Sequence, residues 1–246
     1  MSASLDGSAE PRRIACLMRH AHFDRPRQLA SAHLPYPLSS EGRAQAKAAA
    51  ESVLRAAREQ DLAIHPTIET SQLLRAWETG RILAEALEAR TGCRFVVEER
   101  IELIERGLGS CANLRFDEIE ALLARDPRLA PLPPEWRRRA DFRLPVPGAE
   151  SLLDAGVRTA RRIDRSLASA SAPDAPGGVL KIFVAHGGCL RHAAVVRDIL
   201  PIDEAIKLTM DYCGTVLIES IGPQRWRHVA GEWKKRLPST DAEADG

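Results

Sequence analysis

Arg19 and His20 close the apolar run Ile14 to Met18, and far downstream His186 closes a second run, Ile182 to Ala185. Such near-continuous apolar runs read as strands covered on both faces, and in open α/β sheets ligands bind in the crevice beyond the carboxyl ends of the strands. Two imidazoles and an arginine brought to one crevice suit a phosphoryl group. An imidazole attacks phosphorus only while its nucleophilic nitrogen is neutral, so its other nitrogen should donate to a backbone carbonyl; His20 is the candidate nucleophile. Arg19 beside it and Arg75 further on each offer a planar guanidinium fork that grips two oxygens at once. His186 would donate to a phosphoryl oxygen, helped by the amides of Gly187 and Gly188 at the start of a helix. The leaving alkoxide still needs a proton. Glu105, after the apolar pair Leu103-Ile104 and before a glycine-containing loop, is the preferred acid, with Glu102 and Glu150 as competing carboxylates.

The elements that must carry these residues alternate strand and helix. A loop rich in Pro and His, from Phe23 to Ser40, leads into an Ala-rich helix capped by Ser39 or Ser40 and ending near Gln60. Ile64 and Ile68, interrupted by Pro66, mark a strand ending near Thr70, with Ser71 expected to cap the next helix. In that helix Leu73, Trp77, Ala84 and Leu87 form a core face, while Ser71, Arg75 and Thr79 recur on another side. Gly92 stops it, and strand character resumes at Arg94 to Val97 and at Ile101 to Ile104. Glu150 and Ser151 open a long amphipathic helix through Leu167, and Val179 to Ala185 is the clearest central strand. A helix follows to about Leu200, and Val216 to Ile221 and Trp226 to Val229 supply late strands. This order predicts an α/β protein, a three-layer sandwich with a mostly parallel central sheet. Residues 12–237 read as one domain, with 116–148 as an insertion over the site that is too short to bury a core of its own. Residues 1–11 and 238–246 read as disordered tails.

Composition narrows the setting. The 246 residues are 44% hydrophobic and 28% charged, ordinary values for a globular protein, and no apolar stretch approaches the length of a membrane span. A net charge of +1 supplies no field for steering nucleic acid or an anionic membrane. The five cysteines are scattered without a CxxC pair and read as reduced, partly buried thiols rather than zinc ligands or a redox dithiol. The first dozen residues lack the apolar centre of a secretory signal, so the expected location is cytoplasmic.

Taken together, Arg19-His20, Leu38-Ser39-Ser40-Glu41-Gly42 with Gln45-Ala46, Ser71-Gln72-Leu73-Leu74-Arg75-Ala76 with Thr79, Leu103-Ile104-Glu105 with Gly109, Gly148-Ala149-Glu150-Ser151 and His186-Gly187-Gly188 form an ordered set. It resembles the motifs of the histidine phosphatase superfamily, in the phosphoglycerate-mutase-like branch, from Ile14 to Val229. The resemblance implies a phosphoglycerate-mutase-like fold and a phosphohistidine mechanism. His20 would be the nucleophile, Arg19, Arg75, His186 and Gly187 would bind the phosphoryl group, and Glu105 would act as acid and base, with no metal or other cofactor. Three departures stand out: Ala21 replaces the usual glycine, His22-Phe23-Asp24-Arg25-Pro26 replaces a polar stretch that touches phosphate, and Cys213 stands where relatives commonly carry Asn. His186-Gly187 rather than His-Asp argues against the acid phosphatase and phytase branch.

The expected activity is hydrolysis of a phosphomonoester, small and soluble or else a phosphoprotein, without nucleic-acid or membrane partners. Alternatives are a phosphoglycerate-mutase-type phosphotransferase, and a catalytically silent module that binds phosphate or phosphoprotein. Ala21, His22, Ser71, Glu150 and Arg191 are expected behind the site or against substrate, Arg191 either bracing a carboxylate or facing solvent. Arg137, Arg138, Arg139 and Arg143 read first as a solvated face and second as contacts to an anionic substrate. Trp77 is expected in the core, and Trp136 either over the entrance or packed down.

Overall fold

A computed structural model describes residues 11–25, 29, 33–171 and 177–236. The tails expected at 1–11 and 238–246 lie outside the described residues, apart from Pro11. Strand β1 (Arg12–Arg19) sits inside a seven-stranded sheet, between β5 (Gly178–Ala185) and β7 (Thr215–Ser220). Every residue of β5 is buried, as a near-continuous apolar run requires of a strand covered on both faces; its one charged residue, Lys181, is buried with the rest. Beyond β5 lie β3 (Thr67–Ser71) and the edge strand β4 (Val96–Arg100), while β8 (Trp226–Ala230) forms the other edge. The short β2 (Ala63–Ile64) also pairs with β5. All pairs among β1 to β5 are parallel; β7 and β8 join antiparallel, so the sheet is mostly parallel.

Two helix layers cover it. Helices α1 (Ser40–Glu59) and α2 (Leu74–Thr91) bury Ala49, Val53, Leu83 and Leu87 against Ile14, Cys16, Met18 and Ile182. On the opposite face α4 (Leu152–Ser169) and α5 (Gly187–Val196) bury Ala155, Ile163, Leu167 and Leu190 against Ala15, Leu17, Phe183 and Val216. Alternate residues of β1 thus feed opposite cores, the two-residue period of a strand expressed as two layers. Ser39 caps α1 by accepting the Gly42 amide, Gly92 ends α2 with φ of 72°, and Ser151 and Asp154 form a reciprocal capping box on α4. A four-residue α6 (Ile202–Ala205) and a two-stranded patch of β6 (Leu208–Thr209) with β9 (Lys234–Lys235) complete the elements, together with α3 (Phe116–Ala124).

Four expectations of the scaffold change. Ile101 to Ile104, expected to have strand character, forms a short 3-10 turn at Ile101–Leu103 once β4 ends at Arg100. Trp77 is half-buried and lies under the Arg81 guanidinium, 5.6 Å from its ring centre, so that α2 instead fills the core with Ala76, Leu83, Ala84 and Leu87. The 116–148 segment does build a small apolar cluster, in which Ile119, Leu123, Trp136 and Leu144 pack with Leu108 and Cys111. It reaches that core by borrowing from the preceding loop, which sequence length alone does not reveal. The cysteines are all free, with Cys93 exposed rather than partly buried.

One polar group sits deep in the second layer. Glu69 on β3, 2% exposed, accepts two hydrogen bonds from Arg162 at 2.8 Å and one from Ser166 at 2.6 Å, with Lys181 at 3.7 Å. Burial alone would raise its pKa; the Arg162 and Ser166 bonds and the nearby positive charges outweigh that and hold it below the usual value. Its contribution to stability is therefore present above about pH 4.5 and is lost as pH falls through the lowered native value. Glu69→Ala should cost about 3–5 kcal/mol at pH 7 because it strands Arg162 and Lys181. In urea unfolding, the gap between variant and parent should close as the pH is taken below that of an ordinary carboxylate.

Candidate active site

Parallel pairing of β1 with β5 sets Arg19 opposite Ala185, and the His20 amide donates to the Ala185 carbonyl at 2.9 Å. The next residues of the two strands, His20 and His186, are thereby forced side by side, with ring centres 5.0 Å apart. On the far side of β5, Ser71 ends β3 and its hydroxyl lies 2.8 Å from His186 Nε2. Arg75 comes in from the first turn of α2 and donates its Nε–H to His20 Nε2 at 3.2 Å. His20, His186, Ser71 and Arg75 are all fully buried.

The bonding around His20 settles its proton. Nε2 accepts from a guanidinium, which is always a donor, so Nε2 carries the lone pair and Nδ1–H donates to the Ala21 carbonyl at 2.8 Å. Burial first, then the positive charges of Arg75 and Arg19, hold His20 well below the ordinary imidazole pKa. His186 is lowered in the same way by burial, Arg75 and His20. Its Nδ1 is buried and has no hydrogen-bond partner among the described residues. Burial also lowers the Arg75 pKa to about 10, which leaves the guanidinium charged at neutral pH.

Glu105 reaches the same place from a different layer. Its Oε2 accepts the Gly188 amide and its Oε1 the Arg106 amide, both at 2.9 Å, so the carboxylate sits at the amino end of α5. The Gly188 amide, expected to face the anion, is therefore taken by Glu105. A Cβ at Gly188 would lie 2.5 Å from Glu105 Oε1, so any side chain here would push the Glu105 carboxylate out of place. The competing carboxylates are engaged elsewhere: Glu102 pairs with Arg165, and Glu150 with Arg158, both at 2.8 Å. Glu150 precedes the α4 cap and is no first-turn charge.

Ser71 is no helix cap either. Helix α2 starts at Leu74, and the Ser71 hydroxyl accepts the Leu73 amide while touching His186, a role that its position at a strand end makes possible. Ala21 is buried, and its amide donates to Thr79 Oγ1, which in turn donates to the Arg75 carbonyl. His22 Nδ1 lies 2.7 Å from Ser39 Oγ, and its ring stands edge-on to Tyr212. Arg19 donates to the Met210 carbonyl at 2.6 Å with its guanidinium 4.3 Å from the Tyr212 ring centre. Arg191 is buried and donates to the Gly187 carbonyl, which excludes the solvent-facing alternative. Trp136 is packed down and donates to Glu120, and Arg137, Arg138, Arg139 and Arg143 pair with nearby surface carboxylates.

Four contributors were not foreseen from the sequence. Phe23 packs edge-on to His20 under the Arg75 guanidinium, and Tyr212 closes the opposite side of His20 with ring centres 5.8 Å apart. His33 Nε2 lies 3.2 Å from the Glu105 carbonyl, and Arg158 binds the backbone on which Glu105 is carried. None of the four has a short-range sequence signal: Arg158 lies eight residues beyond Glu150, twice the spacing at which helical side chains meet. Among the described residues no group of three or more His, Cys, Asp or Glu side chains could hold a metal ion. No described helix is long and apolar enough to cross a membrane.

Known proteins resemble the chain in sequence and in fold. A family profile described as histidine phosphatase superfamily (branch 1) matches residues 15–233. A 2,3-bisphosphoglycerate-dependent phosphoglycerate mutase 2 of Gloeobacter violaceus is 28% identical over 183 residues, 74% of each chain. The solved structure of a mycobacterial glucosyl-3-phosphoglycerate phosphatase superposes with a TM-score of 0.63 at 29% identity, over 88% of this chain and 97% of the other. A phosphoglycerate mutase from Bacillus anthracis shares the fold with a TM-score of 0.64 at 16% identity, over 91% and 94% of the two chains. With two strand-end histidines against one arginine and a family match across most of its length, the chain belongs to branch 1 of the histidine phosphatase superfamily.

Proposed function

We propose that the protein hydrolyses a small phosphomonoester through a phosphohistidine on His20. The observation that carries the reading is the lone pair on His20 Nε2, held by the Nδ1–H bond to Ala21 and turned toward Arg75. Nε2 attacks phosphorus in line, the ester P–O bond breaks, and the departing oxygen takes a proton from Glu105. Arg19, Arg75 and His186 meet the charge spread over the phosphoryl oxygens, with His186 donating through Nδ1 while the Ser71 hydroxyl satisfies Nε2. In the second half Glu105 takes a proton from a water whose oxygen attacks phosphorus, the P–N bond breaks as the new P–O bond forms, and inorganic phosphate leaves. The scheme runs on guanidinium and imidazole groups and calls for no metal. The cover of Phe23 and Tyr212 over a fully buried His20 favours a small substrate over a phosphoprotein. The named activity of the mycobacterial relative makes phosphorylated glycerate derivatives the first class to screen.

The same enclosure supports a second reading, a mutase that returns the phosphoryl group to another hydroxyl, which is the named activity of the Gloeobacter relative. Both share the chemistry at His20. Inorganic phosphate released, measured against 2-phosphoglycerate formed from 3-phosphoglycerate, separates them; hydrolysis requires phosphate release to dominate. A silent binding module would instead hold phosphate with no turnover of any ester.

Rapid quench with labelled substrate should trap acid-labile phosphate on His20, and His20→Ala should lower kcat/KM by at least about 10⁴-fold. A His20→Ala variant with parental activity would overturn the reading. Protonation of Nε2 removes the nucleophile, and the His20 pKa lies well below 6.5. The acid-side fall in kcat/KM should accordingly lie below pH 6.5 rather than at it. Gly188→Ala should displace the Glu105 carboxylate and lower kcat about 10²-fold, with a smaller change in melting temperature than a core truncation produces.

A further inference from the structure

Arg158, on α4, makes no contact with either histidine among the hydrogen bonds described, yet it spans the whole segment that carries Glu105. Its Nη1 donates to the carbonyls of Glu102 and Ile104 at 2.8 and 2.7 Å, and its Nη2 to the Glu105 carbonyl at 2.9 Å. Nε and Nη2 also bind the two oxygens of Glu150 at 2.8 and 2.9 Å, and Glu150 Oε2 accepts the Gly107 amide at 3.0 Å. The backbone is thus gripped on both sides of Glu105, at residues 102 to 105 by the guanidinium and at 107 by its partner carboxylate. The neighbouring Thr159 hydroxyl adds a bond to the Glu102 carbonyl.

We propose that Arg158, with its charge balanced and its orientation set by Glu150, is the positioning residue for the catalytic carboxyl of Glu105. The proposal rests on the reading of Glu105 as the proton donor to the leaving group. The segment between the short 3-10 turn at Ile101–Leu103 and Gly107 has no ladder or helix of its own to hold it. Three carbonyls converging on one guanidinium supply what secondary structure does not, and a planar fork can meet several acceptors in fixed directions where an ammonium cannot. Glu150 makes the arrangement possible at low cost, because it balances a charge that would otherwise sit half-buried against backbone dipoles alone.

A carboxyl that protonates a leaving oxygen matters for an alkyl ester and hardly at all for 4-nitrophenyl phosphate, whose phenolate departs without a proton. The ratio of kcat/KM for the two substrates therefore reads acid positioning and is insensitive to a general loss of folded enzyme. Reading kcat/KM confines the comparison to the phosphorylation step, whichever half of the cycle limits kcat. Glu105→Gln sets the reference. Arg158→Ala should lower kcat/KM about 100-fold for an alkyl ester that the parent turns over, and less than about 5-fold for 4-nitrophenyl phosphate. Arg158→Lys and Glu150→Gln should fall between parent and Arg158→Ala in the same sense, and carry the test if Arg158→Ala does not fold. Equal losses on both esters in the Arg158 and Glu150 variants, with Glu105→Gln still discriminating, would overturn the positioning role while leaving the acid in place. Equal losses in Glu105→Gln itself would remove the acid assignment, and the positioning proposal with it.

Discussion

Arg19 and Ala185 face each other as the last residues of two parallel strands, and the bond from the His20 amide to the Ala185 carbonyl carries that ladder one step further. Parallel strands in register deliver their following residues to the same height, so neither histidine needs a loop of special shape to find the other. A shift of β1 by one residue would turn the His20 ring to the other face of the sheet, away from His186. Register is held here by burial: Ile14, Cys16 and Met18 belong to one layer, Ala15 and Leu17 to the other, and a slip would exchange every one of them. Core packing and the placement of the two imidazoles are thus one constraint.

Burial does a second thing at that point. Two imidazoles and an arginine that are fully buried beside one another cannot all be charged at low cost, and the arginine, with by far the highest intrinsic basicity, keeps its proton. The histidines are left neutral. That neutrality is what a nitrogen nucleophile requires, and it arises from desolvation and from the Arg75 charge rather than from any added base. On the proposed mechanism the Arg75 Nε–H that marks the lone pair of His20 would also meet a phosphoryl oxygen, one donor serving the resting ring and the bound anion in turn.

Strands, long helices and the residues tied to them could be read from the sequence because their signals are local. The apolar runs of β1 and β5, the Ser39 and Ser151 caps and the Gly92 stop each depend on a handful of neighbouring residues. His20, His186 and Arg75 come with those elements. Ser71 was misread because a serine before a helical pattern looks like a cap, while the strand beside β5 extends far enough to aim it at His186 instead. Phe23, His33 and Tyr212 act across loops whose paths no short-range pattern encodes. The Gly188 amide illustrates the same limit from the other side. Its helix terminus was evident, but the group that claims it, Glu105, arrives from a separate segment through tertiary packing alone.

The site accordingly divides into two parts held by different physics. Its phosphoryl-facing half stands on strand ends and a helix start, where backbone ladders leave little freedom. Glu105 stands on an irregular segment whose position comes from side chains, Arg158 and Glu150 above all. The 116–148 segment is joined to that same half: Arg106 donates to the Arg137 carbonyl, the Ser110 amide donates to the Pro147 carbonyl, and the residues just after the segment, Ala149 and Glu150, bond to Leu108 and Gly107. On the proposed mechanism, sequence change in this segment would therefore reshape the space around the leaving group and the aim of the acid while the cradle for phosphorus stays as it is. A scaffold built in this way would, under the same proposal, change the ester it accepts without rebuilding the bond-breaking chemistry, since selectivity and nucleophile would rest on separate supports.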